Sequence, residues 1–115
     1  MVAARFSRDG RTVAFALGDG TVRVVEVLSP DTWTEVAAHD GAALSLAPDI
    51  GPRGFVTGGD DGKLKRIDAA GVATDLANHG MKWVEQVATH ALDKGKGLIV
   101  ASVGKVVHLL DETGR

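Results

Sequence analysis

The feature that most limits how this 115-residue chain can fold is a recurrence every 42 residues. Asp19-Gly20-Thr21-Val22 returns as Asp61-Gly62-Lys63-Leu64, and a further step of 42 reaches Val103-Gly104-Lys105-Val106. The same steps lay Phe6-Ser7-Arg8-Asp9 over Pro48-Asp49-Ile50-Gly51 and His90-Ala91-Leu92-Asp93 without a gap. Ala14, Val56 and Leu98 then coincide, as do Ala16, Gly58 and Val100. A unit of this length is one supersecondary element, which buries its apolar surface by stacking against neighbouring copies of itself.

The unit is built of strands. Asp-Gly pairs stand at Asp9-Gly10, Asp19-Gly20, Asp40-Gly41 and Asp61-Gly62. Between short alternating runs such a pair signals a tight hairpin, for which a type I′ turn is expected. The runs Thr12-Val13-Ala14-Phe15-Ala16 and Thr21-Val22-Arg23-Val24-Val25 are rich in β-branched and aromatic residues, which suit a pleated surface. No helix-length window keeps apolar residues at helical spacing while avoiding the glycines. The expected fold class is all-β.

Phe6-Ser7-Arg8-Asp9-Gly10-Arg11-Thr12-Val13, followed by Gly18-Asp19-Gly20-Thr21-Val22-Arg23-Val24-Val25-Glu26, resembles a WD repeat. The usual tryptophan-aspartate ending is replaced by Val25-Glu26, Ile67-Asp68 and, one residue out of register, Leu110-Asp111. The upstream glycine-histidine element is degenerate, as His39-Asp40-Gly41 and His79-Gly80. The resemblance covers nearly the whole chain and implies β-propeller blades, each a four-stranded antiparallel sheet. It divides the chain into blade one at about 2–38, blade two at about 42–77 and blade three at about 83–111. The third blade is expected to lack its outer strand, so the ring is partial. Known propellers have about four to eight blades. Further blades of the same chain, or self-association, are therefore expected to close the ring, the first in preference.

Composition narrows the chemistry. Thirteen basic and fifteen acidic residues leave a net charge of -2, without the basic face that nucleic acid requires. Cysteine is absent, which removes disulfides, thiolate ligands and cysteine nucleophiles. The start, Met1-Val2-Ala3-Ala4-Arg5-Phe6, lacks the pattern of a secretory signal, and the apolar run Leu98–Val103 is too short to span a bilayer. A cytoplasmic protein with no membrane or nucleic-acid partner and no cofactor is expected.

The resemblance implies a hydrogen-bonded network in blade two, in which the turn carboxylate of Asp61 engages His39, and His39 contacts the Thr57 hydroxyl. Ile67 stands where the family has the fourth member, tryptophan. Blade three has Val103 at the aspartate position. The trio of His39, Thr57 and Asp61 has the composition of a catalytic triad, but a buried network of this kind locks a loop rather than exposing a nucleophile. No pair among His39, His79, His90 and His108 has metal-ligand spacing. Gly58-Gly59-Asp60-Asp61-Gly62-Lys63 lacks the first glycine and the hydroxyl residue of a phosphate loop, and reads as a hairpin turn. Lys63, Lys65 and Arg66 are expected at a solvated rim.

Met81-Lys82-Trp83-Val84-Glu85 enters the first strand of blade three from the face on which WD-repeat proteins usually bind partners. Trp83, with Lys82 and Glu85 beside it, is a candidate interface anchor, because aromatic residues dominate binding hot spots. The competing expectation is that Trp83 packs between blades two and three. Asp40 and Asp60 are candidates for the same face, and Trp33 is expected to pack at a blade edge. The function expected is a non-catalytic scaffold presenting loops at the channel mouth to a protein or peptide. The alternative is part of an enzyme-type propeller, a hydrolase or lyase, whose site lies mostly outside this segment.

Overall fold

Alternating apolar residues and glycine-bearing turns produce a chain of antiparallel hairpins. The computed structural model describes residues 2–68 and 70–115, the side chains of Pro30 and Thr32 excepted. Met1 of the N-terminal segment discussed above lies outside the described residues. Strands β1 (Ala3–Phe6), β2 (Thr12–Ala16), β3 (Thr21–Glu26) and β4 (Ser29–Ala37) form the first sheet, in chain order. Strands β5 (Ala43–Pro48), β6 (Phe55–Gly59), β7 (Lys63–Ile67) and β8 (Ala73–Asn78) form the second. Strands β9 (Val84–Ala91), β10 (Gly97–Val103) and β11 (Val106–Asp111) form a third sheet of three strands. All pairings are antiparallel. The fold is all-β, and its three meander sheets, the last with one strand fewer, are compatible with blades of a partial propeller. Among the described residues the helical content is one 3-10 turn at Asp93–Gly95, and no described helix is long and apolar enough to cross a membrane.

The turns differ from the expected type I′, which needs positive φ at both central residues. Here only the glycine has it: Gly20 has φ 92° and Gly62 φ 80°, whereas Asp19 and Asp61 do not. The Gly20 amide donates to the Leu17 carbonyl at 3.1 Å, and the Leu17 amide to the Thr21 carbonyl at 2.9 Å. That is a three-residue loop ending in a left-handed glycine, the other common hairpin connection. Aspartate serves through its side chain, since Asp19 Oδ1 accepts from the Thr21 amide at 3.0 Å. Asp40-Gly41 is not a hairpin turn. It lies in the connection between the first and second sheets.

The two junctions between sheets form two cores. At the first, Ala14, Ala16, Val22 and Val24 of the first sheet cluster with Leu46, Phe55 and Ile67 of the second. At the other, Val56 and Leu64 cluster with Val84, Ile99, Ala101 and Val103. Successive residues of β6 thus serve opposite junctions, Phe55 the first and Val56 the second, which is the period-2 geometry of a strand buried on both faces. Small residues receive large ones: a Cβ on Gly58 would overlap the Val84 side chain.

Candidate functional site

The loops at one end of the sheets gather most of the residues singled out above. The β2–β3 and β6–β7 turns lie under the connections that enter the next sheet. The Gly20 carbonyl accepts from the amides of Ala38 and His39 at 3.1 and 3.0 Å, and the Gly62 carbonyl accepts from His79 at 2.7 Å. Each turn therefore holds down the loop above it.

His39, Thr57 and Asp61 come together. His39 Nδ1 lies 3.0 Å from Asp61 Oδ1, and Nε2 lies 3.3 Å from Thr57 Oγ1. The Thr57 hydroxyl also lies 2.9 Å from the Ser45 carbonyl, so the chain of bonds ends on backbone rather than on residue 67, where Ile67 is buried and apolar. The ring occupies space left by Gly59, whose absent Cβ would meet it. Burial pushes the His39 imidazole below its ordinary value, against the opposing pull of the Asp61 charge and hydrogen bond. For Asp61, burial alone raises the carboxyl; the amides of Lys63 and Asp40, with His39, outweigh it and hold the group below the usual carboxylate range. Neutral His39 thus donates from Nδ1 to ionised Asp61. The Thr57 hydroxyl has one proton, which goes either to the Ser45 carbonyl or to His39 Nε2, and the arrangement pins the β6–β7 turn to the loop before β5.

Asp61→Ala removes the acceptor shared by His39 Nδ1 and the amides of Asp40 and Lys63. The expected loss is about 1–3 kcal/mol of unfolding free energy, because buried donors lose their partner. Urea denaturation measures it, and an unchanged midpoint would contradict the role. The depressed His39 value sets a pH dependence of known sign. The unfolded chain binds more protons once the pH falls below the ordinary histidine value near 6.5, so stability decreases on acidification from there. His79, lowered by burial and by the neighbouring His108 and Lys82, acts in the same direction. Melting temperature should fall between pH 7.5 and 5.5, and less steeply in His39→Asn, which retains a donor toward Asp61.

The partner-face candidates are distributed as follows. Asp40 is exposed, and its amide donates to Asp61 Oδ2 at 3.1 Å. Asp60 accepts from the Ala42 amide at 3.0 Å, and its carboxylate fills the space beside Gly41. Lys82 and Glu85 are exposed. Trp83 is 54% exposed, and the fully buried residue at this entry is its neighbour Val84. A register shift between Ser102 and Val103 pairs Val84 with Val103, placing Trp83 just outside the strand. Packing between the sheets is thus performed by Val84, while Trp83, like the 96% exposed Met81, lies at the surface.

Other residues stand where the sequence did not put them. Arg66 is not at a solvated rim: its guanidinium binds both Asp49 oxygens, at 2.6 and 3.2 Å, and the Glu112 carbonyl at 2.6 Å. Lys65 is largely covered and pairs with Asp75 at 3.5 Å. Lys63 is half-buried. Trp33 is on β4 as the outermost strand, half-exposed, with the Arg23 guanidinium 4.8 Å from its ring centre. It lines a groove of about 350 Å³ with Phe15, Leu17, Arg23 and Val25 on the free face of the first sheet. His79 reaches His108 of β11, with ring centres 4.6 Å apart. A period of 43 rather than 42 from Lys65 finds His108 in the sequence; nothing local announces the Arg66–Asp49 pair. Among the described residues no group of three or more His, Asp or Glu side chains is placed to hold a metal ion.

No family model matches the chain. Over 86 residues, 73% of its length, it is 35% identical to WD repeat-containing protein 3 of Mus musculus. The same stretch is 34% identical to WD repeat-containing protein 3 of Homo sapiens. In both cases the chain spans only 9% of the length of the relative it matches. The chain is thus similar, through most of its length, to a short part of a protein that carries WD repeats.

Proposed function

We propose that the chain is a set of WD-repeat blades, at about 2–38, 42–77 and 83–111, acting as a non-catalytic interaction scaffold. Its first and third sheets each carry an apolar free face, one with Phe15 and Val25, the other with Leu98 and Leu109. Such faces suit further blades of the same kind, which would complete a ring. The loops at the His39 end then surround the channel mouth and meet a protein or peptide partner. The observation that carries this reading is the exposed aromatic, Trp83, on a loop whose backbone is bonded to the turn beneath it. A rigid, half-exposed tryptophan loses little conformational entropy on binding and supplies large contact area.

Affinity capture with the chain and with Trp83→Ala, read by mass spectrometry, tests the proposal. Proteins captured by the parent should be lost from the variant, while its melting temperature stays within about 2 °C, since a half-exposed side chain adds little to stability. Equal capture by both would overturn the anchor role. A large drop in melting temperature would return Trp83 to packing.

A further inference from the structure

The chain has four Asp-Gly pairs, and three of them are locked by their turns. In these three the glycine amide is engaged as a donor: Gly10 to the Ser7 carbonyl at 2.9 Å, Gly20 to Leu17 at 3.1 Å and Gly62 to Gly59 at 3.3 Å. Their carboxylates are engaged as acceptors. Asp9 Oδ1 accepts from the Ser7 hydroxyl at 2.6 Å and the Arg11 amide at 3.0 Å. Asp19 Oδ1 accepts from the Thr21 hydroxyl at 2.6 Å and its amide at 3.0 Å. Asp61 is held by His39 and by the amides of Asp40 and Lys63. Asp40-Gly41 differs on both counts. It forms a bend between β4 and β5 in which Asp40 is exposed. Among the described residues neither the Asp40 carboxylate nor the Gly41 amide has a hydrogen-bond partner. Glycine is needed at position 41 for space, since the Asp60 carboxylate stands where a Cβ would be.

We propose that Asp40-Gly41 is a site of spontaneous covalent modification, at which the aspartate isomerises to isoaspartate. The Gly41 nitrogen attacks Cγ of the protonated Asp40 carboxyl. The N–Cγ bond forms, the C–OH bond breaks, and the hydroxyl leaves with the amide proton as water. The resulting five-membered succinimide takes up water at the Asp40 carbonyl carbon. The bond from that carbon to the Gly41 nitrogen then breaks, and the main chain runs through Cγ. Water is the only co-reactant, and the product has the mass of the parent. Glycine leaves the attacking nitrogen unshielded, because it has no Cβ. At the other three pairs the same step first has to break hydrogen bonds at the nitrogen and at the carboxylate. Those bonds also hold the Asp9 and Asp19 carboxyls below the usual carboxylate range, Ser7 contributing most at Asp9 and Thr21 at Asp19. Less of the protonated, reactive form is then present. The consequence at Asp40 is structural. Its amide is bonded to Asp61 and the Ala42 amide to Asp60, and isomerisation inserts one more carbon between these anchors. The connection between the first and second sheets loosens. This site does not depend on the Trp83 reading.

The test ages the 115-residue chain at neutral pH in oxygen-18 water, with a second sample in guanidinium chloride. Peptide mapping with electron-transfer fragmentation tells isoaspartate from aspartate at each pair, and the heavy oxygen marks passage through the succinimide. Without denaturant, isoaspartate should accumulate at Asp40 at least about tenfold faster than at Asp9, Asp19 or Asp61, where hydrogen bonds must open first. In denaturant the four rates should converge, because the dipeptide is the same. Comparable rates at Asp40 and any other pair without denaturant would overturn the proposal, as would an Asp40 that isomerises only in denaturant. Hydrogen exchange reads the consequence. The Ala42 amide should exchange faster in the isoaspartyl chain than in the fresh one, and equal exchange would overturn the loosening of the connection.

Discussion

Phe55→Ala is expected to lower the free energy of unfolding by about 3–5 kcal/mol, the sum of lost apolar transfer and of the cavity left behind. Phe55 is fully buried and is the largest side chain in the core between the first and second sheets. Its neighbours there include Ala14 and Ala16, on a strand fixed by hydrogen bonds on both sides, so they cannot collapse far into the vacated space. Domains of this size are stable by only about 5–15 kcal/mol, so the loss is a large share of the total. The melting temperature should fall by more than about 10 °C. Leu109→Ala, at an exposed position on the free face of the third sheet, should change stability by less than about 0.5 kcal/mol. Similar shifts for the two variants would show that the first junction is not a packed core.

Gly62→Ala should cost about 2–4 kcal/mol, of which the left-handed backbone accounts for roughly 1–2. The remainder comes from crowding. A Cβ at position 62 would overlap the carbonyl of Gly80 and stand 3.1 Å from that of Lys82, both in the backbone of the loop that crosses the turn. The loop would have to rise, which breaks the 2.7 Å bond from the His79 amide to the Gly62 carbonyl. Gly104 supplies the control. It also has positive φ, at 58°, but the nearest atom to its missing Cβ is the Lys82 Cδ at 4.0 Å. Gly104→Ala should therefore show the backbone contribution alone, about 1 kcal/mol. Urea denaturation of both variants, with hydrogen exchange at the His79 amide, separates the two effects. Equal costs would mean that the crossing loop contributes nothing.

The hairpins were legible because their causes are local. A glycine after aspartate and a run of β-branched residues mark a turn and a strand within a few positions, and a repeat of 42 averages out the weak members. The trio of His39, Thr57 and Asp61 was legible for a related reason, since each has a fixed place within the repeat. The Arg66–Asp49–Glu112 contact was not. Its partners are 17 and 46 residues away, and only the packing of the third sheet beside the second brings Glu112 within reach. The type I′ expectation failed because Asp-Gly is compatible with two hairpin loops, and the number of residues in the loop selects between them.

By itself the sequence determined the strands, their antiparallel order and the positions that must be glycine, because each depends on residues adjacent in the chain. Tertiary structure alone decided which alternating face each sheet buries. A single shift between Ser102 and Val103 put Val84 inside and left Trp83 at the surface, since a slip of one residue turns a side chain to the opposite face. It also supplied the second reason for Gly62. The turn needs glycine for its φ, and the loop from the neighbouring sheet needs it for space.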